Sequence, residues 1–151
     1  MSGLVHFEDV EVGQTQRFGR YEVTKEEIIE YARQVDPQPF HVDEEAAGRS
    51  MFGGLIASGW HTCAMFIRMI CDHALPGAAT AGALGFDDLK WLKPVRPGDV
   101  LSVETRVKER IESPSRHAVG TVKIESRVLN QRDEAVMTLT SLVLYQRRAK
   151  A

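Results

Sequence analysis

The chain has 151 residues with a formal net charge of −2 at pH 7, and 43% of its residues are hydrophobic against 26% charged. This composition is typical of one globular domain, which we predict over residues 1–151 with its core at about 12–146. The near-neutral charge argues against a nucleic-acid partner, and charged residues interrupt the longest apolar run, which argues against a membrane span.

The first predicted helix follows a strand-like segment. Residues 1–12 are expected to form a loose lead-in, and 14–23 a strand. Thr24 and Glu27 match a capping box, in which each side chain covers a backbone donor of the other residue. The helix that starts there is expected to run to about Val35. Its predicted apolar stripe consists of Ile28, Tyr31, Ala32 and Val35.

The next stretch contains two side chains that can transfer protons. Its sequence is Asp36-Pro37-Gln38-Pro39-Phe40-His41. Each proline fixes its own φ and pushes the preceding residue toward an extended conformation, so we predict a stiff, non-helical loop. Such a loop would hold Asp36 and His41 at a set separation, which acid–base catalysis requires before it requires a tuned pKa. Taken alone, these two residues are more typical of a turn and of an exposed loop.

A short second helix is predicted at 43–47, with acidic residues at its start. Asp43 lies close to His41 in the sequence and is therefore a rival for the catalytic acid. We interpret it as a helix cap, because capping is the commoner role of such a residue. Gly53 and Gly54 then allow a tight turn into the next helix.

Residues 58–75 form an apolar segment with helical spacing, which predicts a central helix that is buried nearly all round. The repeating apolar positions are Trp60, Cys63, Ala64, Ile67, Ile70, Cys71 and Ala74. Gly59 lies in the first turn, where backbone N–H groups have no intrahelical partner and lie at the positive end of the dipole. Its N–H is a candidate donor to a developing oxyanion, although helix-start geometry alone would explain the glycine.

The two cysteines and the N-terminus indicate the cellular environment. Cys63 and Cys71 lie about two turns apart on one helix, roughly 12 Å along its axis, which is too far for a disulfide. We expect reduced, buried thiols, and no accompanying pattern predicts a zinc site. The first nine residues lack a basic start followed by an apolar run, so no signal peptide is predicted and a cytoplasmic protein is expected.

Four long strands are predicted in the second half of the chain, at 82–92, 99–111, 116–130 and 134–146. Apolar and polar residues alternate in the second of them, as in a half-buried strand of an antiparallel sheet. The last strand is apolar on both faces in places, so it is either central in the sheet or covered by another subunit. Together these elements predict an α+β domain, with an antiparallel sheet wrapped around a long central helix.

Three motifs together resemble the MaoC-like dehydratase family of (R)-specific enoyl-CoA hydratases, which have the hot-dog fold. They are Asp36-x-x-Pro39-Phe40-His41-x-Asp43, the run Gly53-Gly54-Leu55-Ile56-Ala57-Ser58-Gly59, and the element Lys93-Pro94-Val95-Arg96-Pro97-Gly98-Asp99. The resemblance extends from about Val12 to Tyr145. Gln38 stands where the family usually has Asn, and Phe40 where a smaller aliphatic residue is usual.

The resemblance implies reversible hydration of a trans-2-enoyl thioester, on CoA or another pantetheine carrier, to an (R)-3-hydroxyacyl thioester of fatty acid metabolism. No cofactor is expected. Asp36 and His41 would hold one water, and which of them acts as the base stays open. The Gly59 N–H would meet the thioester oxygen. Weaker candidates for shaping the substrate pocket, for which ordinary packing is the alternative, are Gln38, Phe52 and Trp60.

The resemblance also implies a homodimer or a dimer of dimers, with sheets side by side. The basic residues Lys90, Lys93 and Arg96 are candidates for contacts with carrier phosphates, and a solvated strand end explains them equally well. Arg68 within the central helix is expected to pair with an acid, because a buried charge needs a partner.

Two other functions stay open. A hot-dog thioesterase would need a carboxylate on the central helix, and Asp72, the one acid there, lies near its far end. A non-catalytic acyl-binding subunit would keep the fold without the chemistry. The presence of both Asp36 and His41 argues against it, because a binding protein has no need of the pair.

Overall fold

The computed structural model describes residues 3–149, and this part of the chain contains five strands and four α-helices. The strands are β1 (Thr15–Glu22), β2 (Thr80–Trp91), β3 (Val100–Ile111), β4 (Val119–Leu129) and β5 (Ala135–Gln146). The helices are α1 (Lys25–Val35), α2 (Pro39–Val42), α3 (Glu44–Gly48) and α4 (Gly59–His73). All four strands predicted for the second half of the chain are confirmed, each bound to within three residues.

All five strands form one antiparallel sheet in the order β1-β3-β4-β5-β2. β5 has a neighbour on each side, so the first alternative for its apolar faces is confirmed: it is an interior strand. The predicted hairpin turn between β4 and β5 is also confirmed, where the buried Asn130 accepts backbone N–H bonds from Arg132 and Glu134 at 3.0 and 3.1 Å.

α4 contacts β1 and β3 and supplies the largest share of helical side chains to the core between helix and sheet. Leu101 and Val103 of β3 are fully buried in this core, which confirms the predicted half-buried strand. From α4 the core takes Met65, Phe66 and Met69. Burying each such side chain contributes about 1.5–3 kcal/mol. The predicted α+β arrangement of a sheet around one long helix is confirmed.

The buried face of α4 is not the predicted stripe, and the helix is not buried all round. Trp60 and Ile67 remain 53% and 43% exposed, whereas His61 and Thr62 are buried. Cys71 is exposed as well, contrary to the prediction of two buried thiols. The sheet covers only one side of the helix, and apolar residues on nearly every face left the orientation of the helix undetermined by spacing alone.

The predicted lead-in, of which residues 1 and 2 lie outside the described part of the chain, is docked from residue 5 onward and not loose. Phe7 begins a 3-10 turn (Phe7–Asp9) and is completely buried. Its ring lies so close to Gly120 that a Cβ there would come within 2.4 Å of it. Val5 also pairs with Ala78 as an isolated β-bridge. One aromatic residue in a polar segment carries no periodic signal, so the sequence did not predict this anchor.

α1 begins as predicted and ends at Asp36. The Thr24 side chain accepts a hydrogen bond from the Glu27 N–H at 3.2 Å, which confirms one half of the capping box. The Glu27 carboxylate does not return the bond, because it contacts Tyr21 and His61 instead. Val35 is 56% exposed, so the predicted stripe is wrong at its last position. Within residues 3–149, α4 and the other helices all lack the combination of length and hydropathy that crossing a membrane requires.

Candidate active site

Asp36 and His41 are brought together where α1 ends. Asp36 is the C-cap of α1, and its N–H binds the carbonyl of Ala32 at 2.8 Å. The predicted non-helical loop is wrong in its second half, because Pro39 occupies the first turn of α2, a position that tolerates proline. This turn carries His41 inward, where it is only 4% exposed. Its Nε2 lies 3.4 Å from Oδ2 of Asp36.

The ring of His41 is oriented by a buried backbone carbonyl. Nδ1 of His41 lies 2.7 Å from the carbonyl oxygen of Ile56. A carbonyl only accepts hydrogen bonds, so Nδ1 carries the proton in the neutral ring. Nε2 then presents its lone pair toward Asp36. Phe40 packs edge-on against the imidazole, with ring centroids 4.5 Å apart, and restricts its rotation.

The carboxylate of Asp36 accepts a hydrogen bond on each oxygen. Gln38 Nε2 donates to Oδ1 at 2.6 Å, and the Ser58 hydroxyl donates to Oδ2 at 2.6 Å. These two bonds, with a smaller contribution from His41, hold the pKa of Asp36 below its usual range against the opposing effect of burial. The Asp36 carboxylate is therefore ionised at neutral pH, and Gln38 stabilises this charge by donating a hydrogen bond to it.

Ser58 is the residue of this site that the sequence interpretation missed. It is fully buried, and as N-cap of α4 its Oγ accepts a hydrogen bond from the Trp60 N–H at 3.2 Å. A serine directly before a helical apolar run is an N-cap signal that the sequence did contain. Its second bond, to a carboxylate 22 positions earlier, required the tertiary structure.

A cleft of about 340 Å³ opens beside His41, and Asp36 is not part of its lining. Its lining includes His41, Gly59, Phe52 and the segment 91–95; we call it the His41 cleft. Within the described residues the Gly59 N–H makes no hydrogen bond. The sequence-predicted Phe52 lines the cleft, whereas Trp60 lies outside its lining.

Trp91 explains why a glycine stands at the start of α4. Its indole Nε1 donates to the Gly59 carbonyl at 3.0 Å. A Cβ at Gly59 would come within 2.3 Å of the indole ring, so no other residue fits without displacing it. Trp60 packs against the same indole from outside, with ring centroids 5.2 Å apart.

Three of the charged candidates outside the pair, Arg96, Lys93 and Arg68, have structural partners, whereas Lys90 makes no ion pair within the described residues. The Arg96 guanidinium donates to the Phe52 carbonyl at 2.6 Å and so supports the edge of the His41 cleft. Lys93 forms an ion pair with Glu134. Arg68 pairs with Asp72 at 3.1 Å, which confirms the predicted ion pair, although Arg68 is exposed and not buried. Over residues 3–149, no three His, Cys, Asp or Glu side chains are grouped as a metal ion would require.

Replacing Ser58 with Ala is expected to raise the pKa of Asp36, because the largest cause of its depression is removed. Loss of the cap should also lower the free energy of unfolding by about 1 kcal/mol. A carboxyl with a depressed pKa contributes stability above its unfolded pKa and loses it as pH falls. The stability difference between wild type and variant should therefore shrink in acid. Carbon-13 NMR titration of Asp36 and denaturant unfolding at several pH values would measure both effects.

Thr24→Ala is the matched control, because Thr24 caps α1 through the same kind of bond and has no contact with Asp36. It should lower stability by a similar amount and leave the titration of Asp36 unchanged. An unchanged Asp36 pKa in Ser58→Ala would contradict the role assigned to the hydroxyl.

Comparison with known proteins shows the family to which this chain belongs. Residues 8–129 match the family model described as MaoC like domain. The chain is 34% identical over 110 residues to a 3-hydroxybutyryl-CoA dehydratase of Methylorubrum extorquens, covering 72% of this chain and 67% of that protein.

Two solved structures superpose over nearly the whole chain. A MaoC-like dehydratase from Rhodospirillum rubrum is 44% identical, with a TM-score of 0.89 over 96% of this chain and 99% of that one. An R-hydratase from Pseudomonas aeruginosa is 26% identical, with a TM-score of 0.76 over 96% and 88%. These likenesses confirm the predicted hot-dog fold.

Proposed function

Because the chain belongs to the MaoC-like dehydratase family, we propose that it catalyses the reversible hydration of a trans-2-enoyl thioester to an (R)-3-hydroxyacyl thioester. The observation that carries this proposal is the separation of 3.4 Å between Asp36 Oδ2 and His41 Nε2, which face each other without forming a hydrogen bond. One water can contact both atoms there. Each atom can accept a hydrogen bond, so the pair can orient the water's oxygen for attack.

The tautomer of His41 and the ionisation of Asp36 favour His41 as the base. Neutral His41 has its lone pair on Nε2, whereas Asp36 is a weak base because both of its oxygens accept hydrogen bonds. As the water oxygen bonds to C3, one water proton passes to Nε2. The imidazolium, stabilised by the Asp36 carboxylate, then returns a proton to C2. Water is thereby added across the double bond, and both side chains regain their initial states.

Negative charge develops on the thioester oxygen as C3 is attacked. The Gly59 N–H at the start of α4 lines the same cleft as His41 and has the position and dipole to receive that oxygen. One such donor is typically worth about 10²–10³-fold in rate. The thioester would therefore lie along the His41 cleft, with the alkene next to Asp36 and the carrier leaving toward residues 91–95.

The carrier, the quaternary structure and the location stay predictions. We expect an acyl-CoA or another pantetheine thioester as the substrate, a homodimer or dimer of dimers, and a cytoplasmic protein of fatty acid metabolism. Lys90 and Lys93 are the basic side chains nearest in sequence to the proposed exit of the carrier.

The position of Asp72 argues against the thioesterase alternative. This residue lies one turn from Arg68 and pairs with it, close to the end of α4 opposite Ser58. It lies fourteen positions after Ser58, which corresponds to about 21 Å of helix. A carboxylate at that distance cannot activate water against a carbonyl held at Gly59.

The test is incubation of the purified protein with crotonyl-CoA and longer trans-2-enoyl-CoA esters. Loss of the conjugated thioester absorbance, with chiral analysis showing the (R)-alcohol, is the expected result. Release of free thiol without alcohol would instead identify a thioesterase. Tight binding of esters without any turnover would contradict the hydratase and favour the acyl-binding subunit.

A further inference from the structure

A buried histidine lies one helical turn beyond Ser58 on α4 and takes no part in the chemistry proposed above. His61 is only 2% exposed, and its Nε2 lies 3.2 Å from Oε1 of Glu27 on α1. Tyr31, one turn further along α1, stacks on the imidazole, with ring centroids 4.4 Å apart and ring planes 9° apart. His61 therefore contacts two side chains of α1, one through a ring nitrogen and one through a ring face.

The Glu27 carboxylate is held from a second direction by β1. The Tyr21 hydroxyl donates to the same carboxylate oxygen that faces His61. Burial and this carboxylate raise the pKa of Tyr21 to about 12, so the hydroxyl stays protonated at neutral pH and continues to donate. Oε1 thus receives one donor from the sheet and one from α4, which fixes the position of Glu27 between them.

Packing alone does not explain a histidine at this position. A carboxylate only accepts hydrogen bonds, so Nε2 of His61 carries the ring proton and Nδ1 of the neutral ring is an acceptor. That Nδ1 is buried and makes no hydrogen bond within the described residues, which destabilises the fold. Burial lowers the pKa of His61 against the opposing effect of Glu27, which favours the neutral ring. A leucine of similar bulk would fill the same space without an unpaired atom.

Another contact between the same two helices belongs to the catalytic pair. Asp36 is the C-cap of α1, and its Oδ2 accepts the Ser58 hydroxyl at 2.6 Å. The Asp36 N–H binds the carbonyl of Ala32, so Asp36 moves with the last turn of α1. Asp36 lies nine positions after Glu27, which corresponds to about 14 Å of helix. On α4, His61 lies three positions after Ser58, or about 4.5 Å.

Directional contacts fix the angle at which α1 crosses α4. Ile28 and Ala32 bury α1 in the core, but apolar burial is non-directional and permits small rotations of the helix. A rotation of about 4° about the first turn of α1 would move Asp36 by about 1 Å, and a misplacement of that size lowers a rate by up to about 10²-fold. The hydrogen bond and the stacked ring of His61 oppose this rotation, because both depend on orientation as well as distance.

We propose that His61 is a positioning residue, which sets α1 on α4 so that the Asp36 carboxylate meets Ser58 and His41 at the separation that hydration requires. The inference rests on the proposed hydratase function and assigns a role to a residue outside the catalytic pair. The unpaired Nδ1 follows from this role. One neutral ring that stacks on Tyr31 and donates to Glu27 must leave its other nitrogen as an acceptor.

His61→Leu tests this role, because it keeps the bulk and removes both directional contacts. The kcat for crotonyl-CoA is expected to fall about 10- to 10²-fold with little change in KM, because the Gly59 donor is untouched. The pKa of Asp36, followed by carbon-13 NMR titration, should rise because its bond with Ser58 is weakened. The unfolding temperature should stay equal or rise, because the unpaired Nδ1 is removed. A merely structural histidine would show the reverse, a lower unfolding temperature and an unchanged Asp36 titration.

His61→Gln is the rescue variant, because its amide nitrogen can occupy the position of Nε2 and donate to Glu27. It should bring kcat and the Asp36 titration back toward wild type. Tyr31→Leu removes the stacked ring from the α1 side at a half-buried position and should shift both readouts in the direction of His61→Leu. His73→Leu is the matched control, since it makes the same change on α4 at an exposed position beside Phe18 of β1, and it should equal wild type.

A double variant separates this role from an independent effect on stability. Ser58→Ala and His61→Leu act on the same Asp36 contact, so together they should lower kcat by less than the product of their separate losses. Multiplicative losses, or an Asp36 titration unchanged in both His61→Leu and Tyr31→Leu, would overturn the positioning role while the hydratase stands. Absence of turnover in wild type with every enoyl-CoA ester, alongside the expected change in the Asp36 titration, would overturn the hydratase and keep the coupling of His61 to Asp36.

Discussion

Asp36→Asn is expected to lower kcat for enoyl-CoA hydration by about 10²–10⁴-fold with little change in fold. The substitution removes the negative charge that orients the water and stabilises the His41 imidazolium. It also places an amide nitrogen against either the Gln38 donor or the Ser58 hydroxyl, where the carboxylate accepted two bonds. Initial rates with crotonyl-CoA would measure the loss, and far-UV circular dichroism with thermal unfolding would verify the fold.

Asp43→Asn is the matched control for this variant. Asp43 is the neighbouring acid, and its carboxylate caps α3 by accepting from the N–H groups of Glu45 and Ala46 at 3.0 and 3.1 Å. Asn caps helices about as well as Asp, so stability and activity should both stay near wild type. Activity lost in Asp43→Asn and retained in Asp36→Asn would reassign the catalytic carboxylate from Asp36 to Asp43.

His41→Asn is the second variant with a large expected effect, a loss of about 10²–10⁴-fold in kcat. Asn can place an N–H where Nδ1 of His41 now meets the carbonyl of Ile56, so the buried acceptor stays satisfied. It has nothing in the position of Nε2, so the proposed base is removed. Single-turnover rates and thermal unfolding would be measured together.

His41→Ala separates structure from chemistry at this position. It also removes Nε2, but it leaves the buried Ile56 carbonyl without a donor and a cavity beside Phe40. Both variants should be equally inactive, whereas only His41→Ala should lose stability, by about 1–3 kcal/mol or more. Near-normal turnover in His41→Asn would show that Nε2 does not take part in proton transfer.

The catalytic candidates could be proposed from the sequence because their relation is local. Asp36 and His41 are five positions apart, and the two prolines between them restrict the chain enough to keep both ends close. The structure brings them within 3.4 Å, although through a helical turn at Pro39 and not through an extended loop. The local sequence therefore indicated that Asp36 and His41 lie close together, but it did not indicate the backbone conformation that brings them there.

The contacts between α1 and α4 could not be predicted from local sequence patterns, because they join residues that are far apart in the sequence. Ser58 meets Asp36 across 22 positions, and Glu27 meets His61 across 34. In the sequence, Ser58 is only a helix cap, His61 only a residue in an apolar run, and Glu27 only half of a capping box. Each takes its actual role from the packing of α1 against α4, which no spacing within either helix encodes.

The sequence by itself determined the α+β class, the four strands after residue 80, the single long helix and the acid–imidazole pair. Alternation, helical spacing, capping residues and prolines act over a few positions, so these features follow from short-range physics. Only the tertiary structure decided which face of α4 is buried, that Phe7 anchors the lead-in, and that the buried His61 meets Glu27 of α1. These depend on which surfaces meet, and a helix with apolar residues on most faces can satisfy burial in several ways until the sheet selects one.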